Sequence, residues 1–221
     1  MGLDWLPGNK PRPGFEDEFR QIIAVVAGAN LAPADRPPLV QTMQVSQQEL
    51  LRRYEEISIS AFETLNAPRV GFDAAANDWA RRTHTEQKIT KPLSEWLQEI
   101  RGYYVLSLVE PCDGIPSYSS GPLGYVERYS FRAAFLSSCL SIIGESLSDG
   151  AYYIKFPPEL SAYGDQLLFS ADQFARANKI TIPAAPPDNP DSNEGLLHII
   201  RAAGRWCRYW AERGHFLEPY F

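Results

Sequence analysis

The segment from Glu110 to Tyr129 gathers reactive and shape-fixing residues more densely than any other part of this chain. Cys112 and Asp113 place a thiol beside a carboxylate, and Tyr118, Tyr125, Arg128 and Tyr129 follow among prolines and glycines. Gly and Pro restrict the backbone, so polar side chains between them can be held in one arrangement. A thiolate nucleophile at Cys112 is the sharpest chemistry on offer. Asp113 works against it, because a neighbouring anion disfavours the thiolate, and activation then needs a histidine or arginine from elsewhere. Packing of a small side chain is the commoner role of a free cysteine. Glu110, Asp113 and Glu127 would offer a hard-cation or general-base site if the loop doubled back, but their spacing matches no calcium loop. The tyrosines Tyr103, Tyr104, Tyr118, Tyr125 and Tyr129 either line a pocket there or tie the loop down through their hydroxyls.

A second constellation lies near the end of the chain. At 100° per residue, Leu196, Ile199, Ile200, Ala203, Trp206, Cys207 and Trp210 gather on one helix face. His198, Arg201, Arg205, Arg208 and Glu212 gather on the other. Guanidinium groups one turn apart can close on a phosphate or carboxylate from one side. A solvated face helped by Glu194 and Glu212 explains the same pattern. His84, His198 and His215 fit no ligand spacing, and there is no Cys-x-x-Cys, so no metal is expected. Nucleotide, hydrolase-elbow, kinase and deaminase signatures are also missing, and no cofactor is expected.

The balance of the chain sets limits on partners. Its net charge is −6 and its pI near 5.2, against a general nucleic-acid binder, which needs clustered Lys and Arg. The opening residues do not read as a secretory signal, and Leu6 stands where a myristoylation motif wants Ser or Thr. No apolar run approaches the ~18 residues of a membrane span. Three widely spaced cysteines fit reduced thiols. The expectation is a cytoplasmic protein with no nucleic-acid or membrane partner.

The elements that must position these residues read as helices. Residues 1–14 are an extended segment with Leu3, Trp5 and Leu6 as anchors, and a helix begins at Phe15 behind an acidic first turn. Ser46 with Glu49 reads as a capping box, opening one long stripe from Leu50 to Leu65. Asp73 caps a shorter helix, and Pro92 opens another whose register carries through Tyr104 to Leu108. Residues 130–147 read as a central helix, apolar all round. Residues 151–156 form a short link halted by Pro157-Pro158, with a helix from about Gly164 to Asn178 and a last one from Glu194 to about Arg213. The fold class predicted is all-α: an irregular bundle of about seven helices with Pro/Gly-rich connections and little or no β. A single helical domain spanning 1–221 is expected.

The opening Met-Gly-Leu-Asp-Trp, then Lys10-Pro-Arg-Pro-Gly14 and an acidic helix start, resembles uncharacterised bacterial proteins of similar length, as does the stretch from Tyr103 to Phe135. That resemblance implies a bacterial cytosolic setting and no particular chemistry. The residues themselves point first to a non-catalytic helical protein that binds an acidic partner or a small anionic ligand. Its candidate contacts are Cys112, Asp113, Tyr118, Tyr125, Arg128, His198, Arg201 and Arg205. The alternatives are an enzyme with its site on the 110–129 loop and a structural homo-oligomer subunit.

Overall fold

The computed structural model describes residues 2–32, 46–109 and 129–221. Within them the elements run β1 (Asp4–Pro7), β2 (Lys10–Pro11), α1 (Glu16–Val26), α2 (Gln47–Ile57), β3 (Ser58–Ile59) and α3 (Ala61–Thr64). There follow α4 (Ala74–Glu86), α5 (Leu93–Glu99), α6 (Leu140–Gly150), α7 (Pro157–Asn178), α8 (Asn193–Glu212) and β4 (Leu217–Tyr220). The protein is mostly helical, as its apolar periodicity predicts. Among the described residues β structure is confined to four short strands, which pair distant parts of the chain, β1 with β4 and β2 with β3, both antiparallel.

The last helix is the axis of the fold. Ser192 caps it by accepting the Gly195 N–H, and twelve of its twenty residues are buried, more than one face of a helix holds. α7 packs along it at a glycine crossing. A Cβ built on Gly164 would meet the Gly204 carbonyl oxygen at 2.9 Å, and one on Gly204 would meet the Gly164 oxygen at 2.9 Å. Only glycines let the two backbones come this close.

Trp5 fastens the beginning of the chain to this pair. It is fully buried, its ring packs on Phe131, Tyr163 and Trp206, and its Nε1–H donates to the Ala151 carbonyl at 2.8 Å. The register Trp5↔Pro219 and Leu6↔Glu218 then ties the two ends of the chain together. A second cluster unites Phe19, Ile22 and Ile23 of α1 with Leu50, Ile57, Ile154 and Phe216. A third, around Val70, Ala76, Ala80 and Val105, holds α4 and α5 together.

Several expected boundaries move, each for a local reason. The stripe from Leu50 to Leu65 is not one helix. Ser58-Ile59 leaves it to pair with Lys10-Pro11, and Ser60 with Glu63 forms a full capping box that restarts the chain as α3. Residues 103–109 are not helical throughout: Tyr104 bridges to Arg69, and only Leu106–Leu108 make a 3-10 turn. The helix expected over 130–147 is a 3-10 segment, Ala133–Cys139, followed by α6, whose Gly144 is non-helical at φ 76°. Pro157 and Pro158 do not halt a segment but open α7, since the first turn of a helix needs no N–H from them.

Candidate functional site

Cys112, Asp113, Tyr118, Tyr125 and Arg128 lie outside the described residues. Tyr129, where the described chain resumes, is half-buried and stacks on Phe62, which stacks in turn on Tyr104.

The other reactive side chains of the sequence are built into the packing. His215 is fully buried, with Nδ1 at 2.8 Å from the Gly8 carbonyl and Nε2 at 2.8 Å from Thr64 Oγ1. This pair of contacts suits a neutral ring that donates from Nδ1 and accepts at Nε2. Burial holds its pKa down to about 4, with Lys10 and Arg213 adding to the effect. The Cys139 thiol is buried between the Phe135 and Leu196 carbonyls, and burial pushes its pKa up to about 12. Burial drives the Cys207 thiol up as well. Thiolates react and thiols do not. Iodoacetamide at neutral pH is therefore expected to leave Cys139 and Cys207 unmodified in the folded protein and to alkylate both in urea, read by peptide mass spectrometry. Rapid labelling of either thiol without denaturant would contradict the packing described.

The basic face of the last helix is only partly a surface. His198 does not face water: it is buried and hydrogen-bonded to the Ala184 backbone, and burial, then the charges of Arg205 and Arg201, lower its pKa. Arg201 is exposed, Arg205 half-buried, and Arg208 lies 3.7 Å from Asp165. The expected row thus becomes two surface arginines flanking a third that is half covered. Its inward histidine is explained by crowding, since α8 has packing partners around most of its circumference.

A different arrangement collects polar side chains around a concavity. A cleft of about 600 Å³ opens between α1 and the link that leads into α7. One wall is the stripe Asp17, Arg20, Gln21 and Ala24, spaced to lie along the helix face away from the buried Phe19, Ile22 and Ile23. The other wall is Tyr153–Phe156, with Glu159 from the first turn of α7, and Leu31 and Ile154 add apolar surface.

Backbone bonds hold these walls in place. The Ile154 N–H donates to the Asn30 carbonyl at 2.8 Å. Lys155 exchanges bonds with Leu217 of β4, giving 3.3 Å for its own N–H and 2.9 Å for its carbonyl. The Lys155 ammonium is used locally, on the Gly150 and Tyr153 carbonyls and over the Tyr163 ring. That places a cation at the carbonyl end of α6, where the helix dipole favours one.

Arg20 is the prepared group of the cleft. Its guanidinium lies 4.2 Å from the centre of the Phe156 ring, and Nη2 donates to Glu159 Oε1 at 2.8 Å. Both partners of this ion pair are about half exposed, at 55% and 50%, so the pair contributes little stability. What it does is hold the guanidinium in place over the Phe156 ring. A guanidinium has five N–H donors, and Glu159 takes one of them. The rest can meet a carboxylate or phosphate edge on.

The chain matches no protein-family model, no curated protein and no solved structure. Among the described residues, no group of three or more His, Cys, Asp or Glu is placed to hold a metal ion, and no helix is long and apolar enough to cross a membrane.

Nothing in the sequence pattern singles out Arg20. Its companions come from two regions, residues 17–32 and 153–159, joined only by the fold. The one local signal is the i, i+3, i+4 run Asp17-Arg20-Gln21, which reads as an ordinary solvated helix face.

Proposed function

We propose that the protein is a non-catalytic helical binding protein and that the Arg20 cleft receives a small ligand carrying an anionic group beside an apolar body. The observation behind this reading is the guanidinium held over the Phe156 ring and anchored by Glu159, with most of its donors uncommitted. The cleft volume falls within the several hundred Å³ usual for small-molecule sites. Asp17 and Glu159 line the cleft from its two walls, so a cation beside the anion is favoured. A zwitterion with an apolar side chain is the best match. The non-catalytic part of the reading rests on Cys139, Cys207, His198 and His215, all buried in packing roles. The same reading takes the helices as an irregular bundle in a bacterial, cytoplasmic protein, in keeping with its acidic balance and two buried free thiols.

Three related probes test it: L-phenylalanine, phenethylamine, which lacks the carboxylate, and hydrocinnamate, which lacks the ammonium. Saturating L-phenylalanine is expected to raise the melting temperature, since about 100 times Kd adds about 2.7 kcal/mol to the folded state. Each single-charge analogue should stabilise less. Arg20→Ala should abolish the advantage of L-phenylalanine over phenethylamine while leaving the unliganded melt nearly unchanged. A wild-type protein stabilised by none of the three, or an Arg20→Ala variant stabilised equally, would end the proposal.

A further inference from the structure

Away from the cleft, the turn Arg69-Val70-Gly71-Phe72-Asp73 is fixed by several hydrogen bonds. The Arg69 N–H donates to Asp73 Oδ2 at 2.7 Å, and the Gly71 N–H to Asn77 Oδ1 at 2.7 Å. The Phe72 and Asp73 N–H groups both reach the Arg69 carbonyl, at 3.1 and 2.9 Å. Val70 exchanges bonds across to Tyr103 and Gly102, at 2.9 and 2.8 Å. Gly71 has φ +85°, and a Cβ there would lie 2.8 Å from Arg101 Cγ, so glycine is what lets the Arg101 side chain cross the turn.

The product of this bracing is an exposed aromatic ring between two cations. Phe72 is 57% exposed. The Arg69 guanidinium lies 3.7 Å from its ring centre and that of Arg101 5.6 Å. Tyr103, 50% exposed, stacks on Trp79 close by in the chain fold, at 5.8 Å and 13°. An exposed cation–π contact contributes only about 0.5–1 kcal/mol, too little to account for so firmly held a turn. Among the described residues neither guanidinium makes an ion pair within 4 Å, although the charge of Arg69 is felt at Glu63. Two carboxylates beside the turn are hydrogen-bonded locally: Asp73 accepts from the Arg69 N–H, and Glu63 from the Ser60 N–H and hydroxyl. Arginine and aromatic side chains presented together on a rigid support are the chemistry of binding hot spots.

We infer that the Arg69–Phe72–Arg101 turn is a docking surface for an acidic protein segment with an apolar side chain. Carboxylates of the segment pair with the two guanidinia, and the apolar side chain covers Phe72. The open cleft beside the turn, about 680 Å³, receives the rest of that side chain; Asn66, Arg69, Phe72 and Tyr104 line it together with Glu63 and Asp73, whose carboxylates are held on backbone N–H groups. The inference is independent of the Arg20 cleft.

The test is fluorescence polarisation with a labelled peptide of repeated Glu-Asp-Leu, against a control of repeated Lys-Arg-Leu. The wild-type protein is expected to bind the acidic peptide and not the basic one, more weakly as salt rises. Phe72→Ser and Arg101→Gln should each weaken binding by about tenfold or more. Both are surface changes, and unchanged melting curves would show that the variants are folded. Three results overturn the inference: no binding of the acidic peptide, equal binding by wild type and Phe72→Ser, or a dimer in sedimentation that Phe72→Ser dissolves. The last would make a second copy of the chain the occupant.

Discussion

Replacing Trp5 by alanine is expected to lower the unfolding free energy by about 4 kcal/mol, the cost of emptying a large aromatic site in a packed core. For a chain of this size that is about 10 °C in melting temperature. Trp5 is fully buried among Phe131, Tyr163 and Trp206, three rings drawn from separate segments, so none can move in to fill the space alone. The loss also strips the Ala151 carbonyl of its donor. Trp5→Phe separates the two contributions: it keeps most of the ring and should cost about 1–3 kcal/mol, the penalty of a buried acceptor left unpaired. Thermal and urea melts followed by circular dichroism read both. A Trp5→Ala protein melting within a degree or two of wild type would mean that β1 is an appendage and not a tie between the two ends of the chain.

The second large effect is a dependence on pH. His215 has an ordinary pKa of 6.5 when exposed in the unfolded chain, and burial brings it down to about 4 in the folded one. The folded state therefore favours the neutral ring. Above pH 6.5 both states are neutral and the group is silent. As pH falls through 6.5 the unfolded chain takes up a proton that the folded one refuses, and stability declines until about pH 4, where the folded ring protonates too. The whole excursion is about 3 kcal/mol. Carboxylates held low by bonds, such as Glu63 beside the Ser60 N–H, lose their own contribution at still lower pH. The comparison that isolates His215 is wild type against His215→Asn, melted in urea from pH 7.5 to pH 4. The variant should start less stable, having lost contacts to Gly8 and Thr64, and show a shallower decline. Parallel curves would remove His215 from the account.

Local signals carried the sequence reading where one element could be judged alone. The acidic start of α1, the Ser46 cap of α2 and the apolar face of α8 all fall where periodicity and capping put them. The anchoring of the first residues was legible too, because Leu3 and Trp5 are large apolar side chains in a segment unable to be a helix, and both are buried. What pairs across the chain was not. Leu217-Glu-Pro-Tyr220 is too short to announce a strand, and its partner lies at the other end of the sequence. Ser58-Ile59 interrupts a good helical stripe only because Lys10-Pro11 is there to bond it, and the Ser60–Glu63 capping box then restarts the helix. The inward turn of His198 follows from how many neighbours α8 has, which its own periodicity cannot count. Arg20 is illegible for the same reason: a guanidinium held over a ring and anchored is a property of Phe156 and Glu159 as much as of α1.

The claim that the Arg20 cleft binds a ligand is tested most directly by locating the contact. Amide shifts of the isotope-labelled protein, followed by NMR during a titration with L-phenylalanine, report it residue by residue. Saturable shifts concentrated in residues 17–24 and 153–159, and lost in Arg20→Ala, are the predicted result. Saturable shifts that map elsewhere, or that persist unchanged in Arg20→Ala, would contradict it.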